Sequence, residues 1–261
     1  MISLDSCALQ LPGYGLSTLK TKATTRAKGG SLLEACQEAF PGRDIILGGH
    51  DRGARLCHRV SVDHAHPPSS TAPSYKLLGT VLIDIVPTLI QWQAFANPKA
   101  GVAYYHWPFL ASPTAAEMIH AYGGDRWVHN GLSRIQGDSA EGQAKFQSDN
   151  AWEVYESQFT KRETIEGSCA DYAAGADPEP QAQAEDQKAG RKMQGPVLVM
   201  WSLARLGSMH GDVGSIWKDW VENEAQLKAI GCGDGVGHYL PEESHNLIGN
   251  SILDFVKKVS T

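Results

Sequence analysis

Asp51 sits in the run Gly48-Gly49-His50-Asp51-Arg52-Gly53-Ala54-Arg55, between a short apolar stretch and a helix-forming one. Gly49 and Gly53 flank it at two residues on each side. A sharp strand-to-helix turn needs small residues there, because the backbones approach closely and the central residue is held in a strained conformation. Serine is the usual occupant of such an elbow. A carboxylate cannot act as that serine does, but it can attack an electrophilic carbon and form an ester. The plainer reading of Gly-x-Asp-x-Gly is an aspartate that only caps the helix behind it.

An ester on Asp51 would need a base to remove it. His238 follows a loop with glycines at 231, 233, 235 and 237, where an imidazole could activate water. Taken alone, a loop histidine is an ordinary surface residue. Asp84 ends an apolar run, and a carboxylate buried there needs a partner. Orienting the His238 imidazole would supply one, and capping a turn is the plainer alternative. The order nucleophile, acid, histidine along the chain favours the catalytic reading. The stretch after the next apolar run, residues 200–207 (MWSLARLG), holds no carboxylate that could serve instead, which favours Asp84.

The elements that must position these groups alternate. Residues 44–49 (DIILGG), 77–86 (LLGTVLIDIV), 196–201 (PVLVMW) and, more weakly, 226–230 read as buried strands. A further strand is expected before the turn Leu11-Pro12-Gly13-Tyr14-Gly15. Helices are expected over 31–40, with Leu32, Leu33, Cys36 and Phe40 on one face, over 52–64, and over 247–259. Strands alternating with helices imply a mostly parallel α/β sheet, at whose carboxyl ends ligands bind. Residues 88–195 lack strands and are rich in Trp, Tyr and Ala, so they read as a helical cap inserted into a core of 1–87 and 196–261. Within it, 173–192 reads as a linker or a solvated helix, and 67–75 as a Pro/Ser-rich surface loop.

A length of 261 residues suits one core with an inserted lid and needs no metal or disulfide to hold it. A net charge of −6 gives no electrostatic footprint for nucleic acid and no basic run for an anionic membrane. The five cysteines show no paired or metal-type spacing, which points to a reducing, cytoplasmic setting. No basic leader and no long apolar run is seen. The remaining histidines (His50, His58, His64, His66, His120, His129, His210, His245) show no metal-ligand spacing and receive no role. No cofactor is expected.

Gly49-His50-Asp51-Arg52-Gly53-Ala54-Arg55 resembles the nucleophile motif of the haloacetate (fluoroacetate) dehalogenases, members of the α/β-hydrolase superfamily. The similarity extends through Leu11–Ser17, Val81–Thr88, the Tyr104–Leu110 and Gly167–Tyr172 segments, and Gly237–Glu243, in the expected order. It implies an α/β-hydrolase fold and hydrolytic dehalogenation of a short 2-haloacid. It implies that Asp51 displaces halide, that His238 and Asp84 serve the second step, and that Arg52 and Arg55 grip the substrate carboxylate. His106, Trp107 and Tyr172 would form the halide pocket, each offering a donor N–H or O–H. Aromatic packing is the plainer reading of Trp107 and Tyr172.

The family carries further strands and a His-Gly loop ahead of the LPGYG-like turn, and this sequence opens almost at that turn. The expected sheet is therefore N-terminally truncated and short of one oxyanion donor, a loss worth about a hundred- to a thousand-fold in rate. An open sheet edge invites pairing, so a homodimer is one expectation. Two other readings stand beside the dehalogenase. Epoxide hydrolysis uses the same Asp nucleophile with lid tyrosines such as Tyr104, Tyr105 and Tyr172, and a weak or inactive α/β-hydrolase-fold binding protein would use neither.

Overall fold

Four parallel strands in the order β1-β2-β3-β4 form the sheet of the computed structural model, which describes residues 5–68 and 75–260. They are β1 (Ile45–His50), β2 (Leu77–Ile83), β3 (Val197–Ser202) and β4 (Leu227–Cys232). Their apolar residues alternate between two buried faces, as strands covered on both sides require. Leu82, Val197, Val199 and Trp201 pack on one face with Ala54, Cys57 and Trp217, while Val81, Ile83, Leu198 and Met200 pack on the other with Ile248 and Phe255. The helices that bring these partners are α2 (Arg52–Ala65) early in the chain and two near its end, while α1 (Thr25–Ala39) packs against α2, Gly29 facing Val60.

Between β2 and β3 the chain is helical. It runs through α3 (Thr88–Ala94), α4 (Pro98–Ala103), α5 (His106–Leu110), α6 (Ala115–Tyr122), α7 (Gly124–Ile135), α8 (Ala140–Phe146), α9 (Ala151–Phe159), α10 (Arg162–Ala176) and α11 (Glu179–Lys188). After β3 follow α12 (Ser208–His210), α13 (Val213–Lys218), α14 (Leu240–Glu243) and α15 (His245–Val259).

Three expectations change. Residues 5–10 are exposed and form no strand, so the LPGYG turn follows extended chain. The turn itself closes through Tyr14 N–H to Leu11 O and Gly13 N–H to Ser17 O, both 3.0 Å. Helix α1 begins at Thr25, capped by Thr24, and its buried residues are Thr25, Lys28 and Gly29. The Leu32, Leu33, Cys36 and Phe40 face is only half-buried. Helix α11 is no linker, and it is solvated on one side only: Gln181, Glu185 and Lys188 are exposed, and Glu179, Gln183 and Asp186 are buried on the other. Glu179 accepts from Thr25 N–H at 2.7 Å, Gln183 from Leu89 N–H at 2.8 Å, and Asp186 pairs with Arg59 and Arg191. A polar buried stripe leaves no hydrophobic period to read. Of the surface loop expected at 67–75, residues 69–74 lie outside the described residues.

No helix among the described residues is long and apolar enough to cross a membrane.

Candidate active site

The strand register brings His50, Ile83 and Met200 side by side at the carboxyl end of the sheet. Asp51 follows β1 directly and Asp84 follows β2 directly. Each extends the ladder by one bond, Asp51 N–H to Ile83 O at 3.1 Å and Asp84 N–H to Met200 O at 2.8 Å. Both then turn sharply, at φ 46° and φ 54°. This is the left-handed region, which non-glycine residues occupy only under constraint. At Asp51 the constraint is visible at Gly49, where a Cβ would come within 2.4 Å of Gly53 C. Gly53 itself faces open space, so only one of the two flanking glycines is sterically required. The Asp51 side chain makes no cap bond to α2. The plain capping role therefore falls away.

His238 stands between the two carboxylates. Its Nδ1–H donates to Asp84 Oδ2 at 2.7 Å, and its Nε2 lies 3.8 Å from Asp51 Oδ2. Asp84 is 2% accessible at its side chain and also accepts the Ser202 N–H at 2.8 Å, whereas Asp51 is 29% accessible and can be reached by a ligand. Burial alone would lower the His238 pKa, but the two carboxylates outweigh it and raise it to about 10. Burial opposes ionisation of Asp51 in turn, and His238, Arg55 and His50 overcome it and hold the carboxyl well below its ordinary range. The resting pair is imidazolium beside carboxylate.

The two arginines are both buried. Arg52 already has a partner that sequence reasoning missed. Its Nε donates to Asp171 Oδ2 and its Nη2 to Asp171 O at 2.9 Å. Asp171 also accepts from Lys28 Nζ at 2.5 Å and Tyr14 O–H at 2.9 Å. The LPGYG turn thus meets the GSCADY helix, where a Cβ on Gly167 would come within 2.3 Å of Gly13 O. Arg55 donates through Nη1 to Val86 O at 3.0 Å and Thr88 Oγ1 at 3.2 Å. Two guanidinium nitrogens, Arg52 Nη1 and Arg55 Nε, remain buried without a partner. Leaving such donors unsatisfied is costly unless a ligand fills them.

His106, Trp107 and Tyr172 gather above the arginines. Ring centroids are 5.9 Å apart for His106–Tyr172 and 5.5 Å for Trp107–Tyr172. The Arg55 guanidinium lies 4.4 Å from the Trp107 ring and that of Arg52 4.7 Å from the Tyr172 ring. Arg134 Nη2 donates to His106 Nδ1 at 3.1 Å. Among the described residues no acceptor is bonded to Trp107 Nε1–H or Tyr172 O–H. Burial, then the Asp51 charge, raises the Tyr172 phenol pKa and keeps it protonated.

Two further residues hold the histidine loop. His50, given no role from sequence, donates Nε2–H to His238 O at 2.8 Å. Glu243, buried at 2% exposure, accepts three backbone N–H groups: Gly137 at 2.9 Å, Gly237 at 2.7 Å and Tyr239 at 3.1 Å. The α7–α8 turn and the loop touch so closely that a Cβ on Gly237 would fall 2.0 Å from Gly137 N. His238 N–H also donates to Ile135 O at 3.0 Å. The Pro-Glu-Glu that follows His238 and Tyr239 is a sequence signal for Glu243, but nothing in it names the three amides. Among the described residues no three His, Cys, Asp or Glu side chains are placed to hold a metal ion.

No family model matches the chain. Over 180 residues it is 32% identical to fluoroacetate dehalogenase of Burkholderia sp, taking in 68% of this chain and 53% of that protein. The chain thus spans about half the length of the curated relative it matches. Among solved structures, a Nostoc sp PCC 7120 protein assigned as an α/β hydrolase superposes with a TM-score of 0.80 at 25% identity, over 94% of this chain and 79% of its own. A Pseudomonas aeruginosa protein assigned as an epoxide hydrolase superposes with a TM-score of 0.77 at 27% identity, over 96% and 78%.

Proposed function

Because the chain belongs to the α/β-hydrolase superfamily, we propose that it is a hydrolase that cleaves the carbon–halogen bond of a short 2-haloacid through an ester on Asp51. The observation that carries this reading is Asp51 itself. It is strained, uncapped and accessible, with the His238 Nε2 3.8 Å from its carboxylate. Asp51 Oδ attacks the carbon in line, the new C–O bond forms, and the halide leaves with the bonding pair. His106, Trp107 and Tyr172 offer it N–H and O–H donors. The substrate carboxylate is held by Arg52 and Arg55, whose unpartnered Nη1 and Nε it would satisfy.

Esterification removes the Asp51 charge, and with it a main cause of the high His238 pKa. The imidazole then gives up its proton and can take one from water, which attacks the ester carboxyl carbon. Asp84 keeps the ring oriented and balances its returning charge. Asp51 is regenerated and the 2-hydroxyacid leaves.

Epoxide hydrolysis is the second reading. It is favoured by the likeness to the Pseudomonas aeruginosa protein and by the phenols of Tyr104 and Tyr172, which burial keeps protonated and able to donate to an opening oxirane. One experiment tests both. Single turnover in heavy-oxygen water with bromo- or fluoroacetate, and separately with a small epoxide, should place label on the Asp51 carboxylate first. Comparing haloacid with haloamide in Arg55→Leu then tests the anchor. A Michaelis constant raised about tenfold or more for the acid alone is expected from losing a charge-assisted contact of roughly 1.5–3 kcal/mol. Equal losses for both substrates would make Arg55 structural, and label found only in product would remove the ester.

A further inference from the structure

His106 can present either of two faces to a ligand, and the side chain that decides between them lies behind it. Arg134, on α7, reaches across to the turn between α4 and α5. Its Nη1 donates to Ala103 O at 2.7 Å, its guanidinium lies 5.1 Å from the Tyr105 ring, and its Nη2 faces His106 Nδ1 at 3.1 Å. A guanidinium has donors and no acceptor, and it stays charged at any working pH. The nitrogen it faces must therefore carry a lone pair. The single ring proton is forced onto Nε2, since a second one on Nδ1 would set an N–H against a fixed cation. Burial first and Arg134 second push the imidazolium form down to about pH 3.

We propose that Arg134 is a positioning residue that locks His106 as the neutral Nε2–H tautomer and so selects for a leaving atom that departs as a small anion. The inference rests on the haloacid reading above. With Nδ1 accepting from Arg134, a locked His106 can only donate toward a ligand, through Nε2–H, and it brings no second charge beside Asp51. Its donor gains most from the halide whose charge is most concentrated. Fluoride therefore depends on Arg134 more than bromide does, because bromide leaves without much help. The bond balance is unchanged: Arg134 acts through His106 and touches no reacting atom.

Nitrogen-15 NMR of the histidine side chains reads the tautomer without any substrate. In the wild type at neutral pH, His106 should show an unprotonated Nδ1 and a protonated Nε2. Arg134→Met should mix the tautomers, and Arg134→Lys, which keeps a donor, should restore the wild-type pattern. In halide release, Arg134→Met should slow fluoroacetate by about tenfold, the loss of one hydrogen bond, and bromoacetate by far less. A protonated Nδ1 in the wild type overturns the proposal, as does an Arg134→Met that leaves the tautomer unmoved or slows both halides equally. If the wild type released no halide from any haloacid, the haloacid reading would fall and the selection with it, while the spectrum alone would decide the tautomer.

Discussion

The carbonyl oxygen of His238 accepts the Nε2–H of His50 at 2.8 Å, so the residue before the candidate nucleophile holds the backbone of the candidate base. The neutral form of His50 is secured by burial and by the His238 charge, which lower its pKa to about 4. His50→Phe would leave the carbonyl without that donor, at a cost of about 1–3 kcal/mol. A drop in melting temperature is expected, together with ester hydrolysis slowed more than halide release. Equal slowing of both steps in stopped-flow halide and ester assays would make His50 a packing residue.

Asp51→Asn should change the titration of His238. Removing the carboxylate 3.8 Å from Nε2 takes away one of the two charges that raise its pKa. Proton NMR of the ring should find the pKa below about 10, displaced toward the ordinary value near ~6.5. An unmoved titration would mean that Asp84 alone sets it, and the imidazole would not be freed by esterification.

The two glycines of the nucleophile turn should respond oppositely. Gly49→Ala drives a Cβ to 2.4 Å from Gly53 C and should prevent folding or displace Asp51. Gly53 lies within α2 with nothing within 4 Å of its Cβ position, so Gly53→Ala should be stabilising by about 0.5–1 kcal/mol. Urea denaturation of both variants checks this, and a destabilised Gly53→Ala would contradict the open space.

Mild acid should destabilise the fold. Burial is the leading cause that holds His50, His58, His106 and His210 neutral, with pKa values near 4, 3, 3 and 4. Each folded value lies below the unfolded one of about 6.5, so the unfolded chain binds more protons and stability falls as pH drops through that window. His238 has the opposite sign. Its contribution is complete below about 6.5 and is lost only toward pH 10, so it does not offset the acid slope. For His58, 3% exposed, the loss between pH 7 and 5 is about 2 kcal/mol. The denaturation midpoint should be lower at pH 5 than at pH 7, with a smaller difference in His58→Asn. A flat profile would contradict the buried neutral histidines.

The two central strands were legible because both faces of each are apolar, whereas β4, with its exposed Lys228, was fainter, and Asp51, Asp84 and His238 were legible because they directly follow strands or a glycine-rich loop. The residues that support them were not. Asp171, Lys28 and Tyr14 pair across more than a hundred positions in sequence, and Glu243 serves amides from two different segments. Such partnerships follow from tertiary approach, which no local period records. Polar burial also misled the reading of α1 and α11, where Lys28 and Asp186 take the place a hydrophobic stripe would have marked.

The Glu243 staple also bears on how a molecule could reach Asp51. The α7–α8 turn and the His238 loop are tied by Glu243, by Ile135 O and by the contact of Gly137 with Gly237. If the helical segment swung open at this corner, it would draw the imidazole away from Asp84, and a gaping site would be an unarmed one. Traffic in and out must then either pass the far side of the helices with this corner at rest, or alternate in time with chemistry.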